Sequence, residues 1–412
     1  MKRILFTGAA LAALAVTTGG ANAADGILVG HIADITGATS SVGKPYGQGI
    51  ADAMNYINAH GGINGQKIIF ETVDYAYEVP RAMAAYKKLT GSEKAVAIQG
   101  WGTGDTEALV TNVAKDEIPY FSASYSGHLT DPQGKTSVKG APYNFFYGPS
   151  YSDGCRGLVQ WAHEDWKKKG GTGKAKFVHM GDNHPYPNSP KQACGAYAKE
   201  LGFDVLNEIQ YSLKPGDFKA QCLSLKESGA NYAYLANTSG STISLLKSCE
   251  TVGVNVQFLA NIWGTDEGSL KTAGEAADKL TWVVGAATWA DDVPGMKLVK
   301  DISKVSDASG AEARPVHYIR AICSVYYMKE AMEAAAKSGG ITGPNIKKAM
   351  YGKKDWVPAG LEGVCLPSTW TAEDHRGTTA VKVYQASTKG GNIGMKQIYT
   401  AEIPRRKEWL GW

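Results

Sequence analysis

A chain of 412 residues with 43 lysines and arginines against 39 acidic residues carries a formal net charge of +4. So even a balance offers no basic stripe for nucleic acid. The length exceeds one ordinary core, so about two domains are expected.

At the start of the chain Lys2 and Arg3 are basic, residues 4–16 are apolar or small except for Thr7, and Ala21-Asn22-Ala23 is small at the two positions a signal peptidase reads. That order is a secretory signal peptide, with cleavage expected after Ala23. The apolar run is shorter than the roughly 20 residues a spanning helix requires. Cleavage removes Lys2 and Arg3. No cysteine precedes Cys155, so the export signal has none to carry a lipid anchor, and later apolar runs are too short to span a bilayer. Six cysteines in an exported chain point to disulfides, and they admit fifteen pairings, all open at this stage. None forms a C-x-x-C pair, so neither a zinc site nor any other metal or cofactor is expected.

Residues 27–33 read as a strand, followed by a polar loop to Ser41 and a helix from about Gly43 whose buried stripe is Tyr46, Ile50, Met54 and Ile57. Gly61-Gly62 stops it. Residues 67–73, 95–99 and 118–122 read as further strands, with helices over about 79–89 and from the loop 100–104 to about Lys115. After Tyr151 the rhythm returns: helix 153–168, strand 175–180, a helix ending at Gly202, strand 203–209, helix 218–227, strand 232–236, one more helix and strand 256–260. A strand over 280–285, a long helix near Val316–Lys337 and a strand-rich tail from about Gly360 complete the chain. Strands alternating with helices mean βαβ units and parallel sheets, and two such series mean two α/β lobes.

Ligands of open parallel sheets lie beyond the carboxyl ends of the strands. That rule selects the loops 36–41, 100–106, 122–126, 179–186, 237–241 and 261–266, which are rich in Ser, Thr, Asn and Gly. Their hydroxyls and helix-terminal N–H groups suit a carboxylate; each taken singly could equally cap its own helix. Trp101, Tyr125, Tyr186, Trp263 and Trp289 lie in or beside these loops, where flat rings can hold an apolar ligand body. Enzyme motifs are missing: there is no G-x-S-x-G, no H-E-x-x-H, and no Lys-Ser/Thr after the glycine-rich Gly100–Gly104 loop. The pair His179 and His184 lacks a third ligand. The chain is therefore expected not to be an enzyme; a secreted hydrolase is the remotest reading.

Asp34-Ile35-Thr36-Gly37, Gly43, and the block Ile57-Asn58-Ala59-His60-Gly61-Gly62-Ile63-Asn64-Gly65 carry a family resemblance. So do Asp217-Phe218 and residues 226–230 and 245–253. Over nearly the whole exported chain the sequence resembles the type I periplasmic binding proteins of branched-chain amino acid and amide ABC transporters. The resemblance implies two Rossmann-like lobes with parallel sheets, joined by a three-segment hinge: residues 24–148 plus 287–362, and 149–286 plus 363–412. It implies a periplasmic monomer that delivers a small molecule to a membrane permease, or otherwise a ligand-sensing receptor module. The implied contacts are Ser41, Trp101, Thr103, Asp105, Thr106, Ser122, Ser124, Tyr125 and Ser126 from the first lobe. The second lobe and its flank give Tyr186, Asn237, Thr238, Ser239, Asn261, Trp263 and Trp289. Amino-acid-binding relatives place a carboxylate near the last loop to meet the ammonium. Here that loop reads Asn261-Ile262-Trp263, with Asp266 only later. The expected ligand is thus a small organic anion, such as an aromatic or other small carboxylate, with a branched-chain amino acid or amide as the alternative. The cysteines also depart from the family's early disulfide. Neighbouring helices in the second lobe imply Cys155–Cys194 and Cys222–Cys249, which leaves Cys323 and Cys365.

Overall fold

The computed structural model describes residues 26–136 and 139–412, so the expected signal peptide lies outside the described residues. The chain opens with β1 (Gly26–Ala33), α1 (Ser40–Ala59), β2 (Lys67–Asp74), α2 (Val79–Lys87), β3 (Ala97–Gly100), α3 (Thr103–Asp116), β4 (Tyr120–Ser122) and β5 (Asn144–Phe146). These strands form one parallel sheet in the order β2-β1-β3-β4-β5. Val29 and Ile32 of the interior strand β1 are fully buried, whereas edge strand β2 alternates between core and solvent. The family-like block 57–65 builds this lobe. Asn58 Nδ2 donates to Ile68 O and its Oδ1 accepts from Ile68 N, both at 2.7 Å, which fixes where β2 starts. Gly62 turns the chain at φ +65°, where a Cβ would lie 2.0 Å from Gln66 O.

The second series is α4 (Tyr151–Lys168), β6 (Lys176–Gly181), α5 (Pro185–Asn188), α6 (Lys191–Glu200), β7 (Asp204–Val205), β8 (Ile209–Gln210), α7 (Lys219–Ser228), β9 (Tyr232–Leu235), α8 (Ser239–Thr251), β10 (Gln257–Ala260), α9 (Glu267–Ala273) and β11 (Thr281–Val284). Then come α10 (Met296–Ser303), α11 (Val316–Lys337), α12 (Gly343–Met350), β12 (Ala380–Ser387) and β13 (Gly394–Glu402). The second sheet runs β13-β12-β11-β10-β9-β6-β7, with β8 also on β6. Its parallel part repeats the order of the first sheet, while β12 and β13 join antiparallel. The strand expected over 203–209 is two short strands, β7 and β8, each pairing with a different stretch of β6. The tail becomes strand only at Ala380; before that it makes single bridges, Ala286 with Cys365 and Trp356 with Ser368.

Helices α10 and α11 pack on α1 of the first sheet, so the chain passes between the sheets after β5, after β11 and again before β12. The three passages meet at Tyr147. Its hydroxyl donates to Gly285 O at 2.7 Å and accepts from Leu366 N at 2.8 Å. The disulfides are Cys155–Cys194, Cys222–Cys249 and Cys323–Cys365, with Cα separations of 5.6, 4.9 and 5.7 Å, inside bridging range. The first joins α4 to α6, the second α7 to α8, and the third α11 to the last passage. Among the described residues no helix is long and apolar enough to cross a membrane.

Candidate functional site

In each sheet the strand order reverses beside the first strand, and the crevice there is where loops splay to opposite faces. In the first sheet that point lies between β1 and β3. The loop after β1 is shaped by Asp34, whose carboxylate accepts from Gly37 N at 2.6 Å, Thr39 N at 2.9 Å and the Thr39 hydroxyl at 2.6 Å. Gly43 lets α1 start against this turn, since a Cβ there would sit 2.1 Å from Asp34 O. Thr39 then accepts from Trp101 Nε1 at 2.8 Å, joining the loops on either side of the crevice. In the second sheet the corresponding point lies between β6 and β9, and Asn237 joins their loops by accepting from Asp182 N at 3.0 Å.

The two crevices face one another across a cavity of about 10 Å³, enough for one water molecule. Half of its lining is aromatic, Tyr77, Trp101, Tyr151, Tyr186 and Trp263, with Thr39, Thr103 and Thr238 supplying hydroxyls. Trp263 is central. Its ring stands 5.0 Å from Trp101, 5.5 Å from Tyr46 and 5.6 Å from Tyr125, centroid to centroid. Its Nε1 donates to the Tyr151 hydroxyl at 3.1 Å. Asn261 orients this loop, accepting from the Tyr186 hydroxyl and from Trp263 N at 2.8 Å each. Around the rim, Ser41 accepts from Gly240 N at 3.2 Å and meets the Ser239 hydroxyl at 3.3 Å, and Ser189 donates to Ser126 at 3.0 Å. The structure is thus one in which the lobes touch.

Of the residues expected at the site, Trp101, Thr103, Tyr186, Thr238 and Trp263 line the cavity. Ser124 stands behind Thr103, hydroxyl to hydroxyl at 2.8 Å. Tyr125 packs on Trp263, and Ser41, Ser126 and Ser239 hold the rim. Others serve their own loops. Thr106 donates to Gly102 O at 2.5 Å, Ser122 to Ser124 O at 2.8 Å, and Asn237 Nδ2 to Tyr211 O and Ser212 O. Asp105 is buried beneath the cavity, accepting from the Tyr75 hydroxyl at 2.8 Å. Trp289 departs furthest: it lines a separate outer groove with Pro45, Ile243 and Pro315. Sequence reasoning did not single out Tyr77 and Tyr151 and reached Thr39 only as part of the 36–41 loop, while its reading of Tyr46 as buried on α1 agrees with the structure. It also passed over Arg320 of α11, fully buried with its guanidinium 3.7 Å over the Trp263 ring. Its signal was a lone charge among apolar residues on a long helix, since arginine is rarely buried without a partner.

Two sheets whose strand-end loops face one another across a small cavity give the chain a two-lobed α/β architecture. A family model described as periplasmic binding protein matches residues 26–392, and the chain belongs to that family. It is 25% identical over 356 residues to a Brucella abortus Leu/Ile/Val-binding protein homolog 1, covering 86% of this chain and 89% of the relative. It is 26% identical over 253 residues to a Pseudomonas aeruginosa amino acid binding protein, covering 60% of this chain and 63% of that relative's length. Among solved structures, an ABC transporter substrate binding protein from Aeropyrum pernix superposes with a TM-score of 0.80 at 26% identity, over 93% of this chain and 97% of that one.

Proposed function

We propose that this protein is the periplasmic solute-binding component of an ABC importer, and that it captures a small organic anion with a compact apolar body for delivery to its permease. The observation that supports this reading is the cavity between opposed strand-end loops, walled by aromatic rings and by the Thr39, Thr103 and Thr238 hydroxyls, with Ser124 behind Thr103. Thr238 Oγ1 has no partner there. A volume of about 10 Å³ is far below that of ordinary ligand pockets, roughly 300–1,000 Å³. The walls therefore have to part to admit a solute, as hinge closure requires.

The names of the relatives favour a second reading, an amino acid. An ammonium needs an acidic partner: Asp266 is engaged with Ser269 N and His317, whereas Asp105 accepts from Tyr75 through Oδ1 and has no partner at Oδ2, so it is the acid an amino-acid ammonium would have to meet. Thermal-shift measurements with acetate, propionate, benzoate, benzamide, leucine and glutamine decide between them, because an occupied site stabilises by mass action. At a hundredfold excess over Kd the gain is about 2.7 kcal/mol. An acid is expected to raise Tm, with leucine and glutamine silent. Leucine or glutamine alone raising it would hand the site to the amino-acid reading.

A further inference from the structure

We propose that Arg320, Tyr46 and Tyr125 form the anion-holding end of this cleft and take the ligand's carboxylate. The proposal rests on the small-anion reading and names the groups that meet the charge. A guanidinium taken out of water ordinarily faces an acid, because an isolated buried ion is strongly disfavoured. Arg320 faces none. Its Nη1 donates to Ile262 O at 2.9 Å and lies 3.2 Å from His317 Nδ1. The guanidinium stacks on Trp263 at 3.7 Å and stands 4.9 Å from the Tyr125 ring. Nε and Nη2 have no hydrogen-bond partner. Asp266 stops one residue short, 3.4 Å from His317 Nε2.

Two more groups share this corner. The Tyr46 and Tyr125 hydroxyls are buried and make no hydrogen bond of full geometry; Tyr46 lies toward Ser324 and Tyr125 toward Arg320 itself, and the guanidinium's field opposes the upward push of burial on each phenol. The atoms free to donate are therefore two guanidinium nitrogens, Nε and Nη2, and two phenols. A carboxylate, with about four lone-pair sites, can accept from such a set. Tyr46 on α1, Tyr125 after β4 and Arg320 on α11 all belong to the side of the first sheet. Trp263 comes from the second and covers the guanidinium. An anion seated on the first three would be enclosed as Trp263 arrives, with its apolar body against Trp263 and Trp101.

Calorimetric titration of the purified protein with acetate, propionate and benzoate, each against its own amide, tests this. The wild type is expected to bind an acid at least tenfold more tightly than its amide. R320Q should weaken the acid about ten- to a hundredfold, the range for losing a hydrogen bond to a charged group, and weaken the amide by less, so that the preference for acid over amide falls. Y46F and Y125F should weaken it less. An acid that binds the wild type and R320Q equally well overturns the assignment while leaving the small-anion reading intact. Amides or leucine binding the wild type with every acid silent overturns both. If R320Q does not fold, wild-type protein carrying ¹⁵N-arginine answers instead. Saturation with the acid should shift an arginine Nε resonance, and unmoved arginine resonances at saturation overturn the proposal.

Discussion

Burial lifts the Asp105 carboxyl from 3.8 to about 7, and the hydrogen bond from Tyr75 only partly offsets it. In the unfolded chain the same group ionises near 4. Between about pH 4 and 7 the folded protein therefore keeps a proton that the unfolded chain releases, so this residue lowers stability progressively as pH rises through that window. Below pH 4 it contributes nothing. Asn at this position can still accept from Tyr75 but does not titrate. Urea unfolding of D105N and wild type at pH 4 and 8 should show the difference moving in the variant's favour by up to about 4 kcal/mol. A difference constant across that range would reject the assignment. Asp105 also shows how far single residues were legible. The strand-end rule locates the loops, because the sheet's geometry puts every such loop at the cleft. It does not say which side chains in a loop turn outward: Thr103 lines the cavity, while Asp105, two residues on, is buried beneath it. Tyr46 and Arg320, which we propose hold the anion, were not read as site residues for a different reason. Both lie on helices, where helical spacing reads as core, and the rule looks only at loops.

At the scale of elements, the disulfide between Cys323 and Cys365 ties α11 to the last passage between the sheets. Close beside it, the Tyr327 hydroxyl sits 2.6 Å from Trp356 O and 2.7 Å from Leu366 O. The bridge closes a loop over a sequence separation of 42 residues, for which chain entropy gives about 4 kcal/mol. C323A/C365A should lose stability of that order in denaturant titration, with the transition otherwise cooperative. A loss below about 1 kcal/mol would mean that the surrounding hydrogen bonds already hold the passage. The helices and strands themselves were largely readable, α11 over its whole length, because strand and helix periods differ and the segments are long. Short elements were not. β5 has three residues, and β7 and β8 have two each; such segments exist through pairing with a neighbour, which no local pattern records.

The whole molecule turns on contacts that join the sheets and on a pivot where they are connected. Ser41 with Ser239 and Gly240, Ser126 with Ser189, Arg320 with Ile262 O, Val316 N with Glu267 and His317 with Asp266 all cross the cleft. The serine contacts are neutral hydrogen bonds and individually weak, net about 0.5–1.5 kcal/mol each, while Arg320, Val316 and His317 make theirs from buried positions on α11. The pivot is of another kind: Tyr147, fully buried, bonds to Gly285 of the second passage and Leu366 of the third from its own place in the first. A cleft closed by a handful of side-chain contacts and a pivot where three chain passages share buried hydrogen bonds should open by rotation with each lobe intact. Small-angle scattering of the unliganded protein should then give a radius of gyration larger than that of the structure described here, falling toward it when benzoate or another bound acid is added. In Y147F the Gly285 and Leu366 backbone groups lose their buried partner, at about 1–3 kcal/mol, so Tm should drop and the unliganded radius should vary more widely about its mean. A radius that already matches the closed structure without ligand, and does not move with it, would rule out opening by rotation at Tyr147.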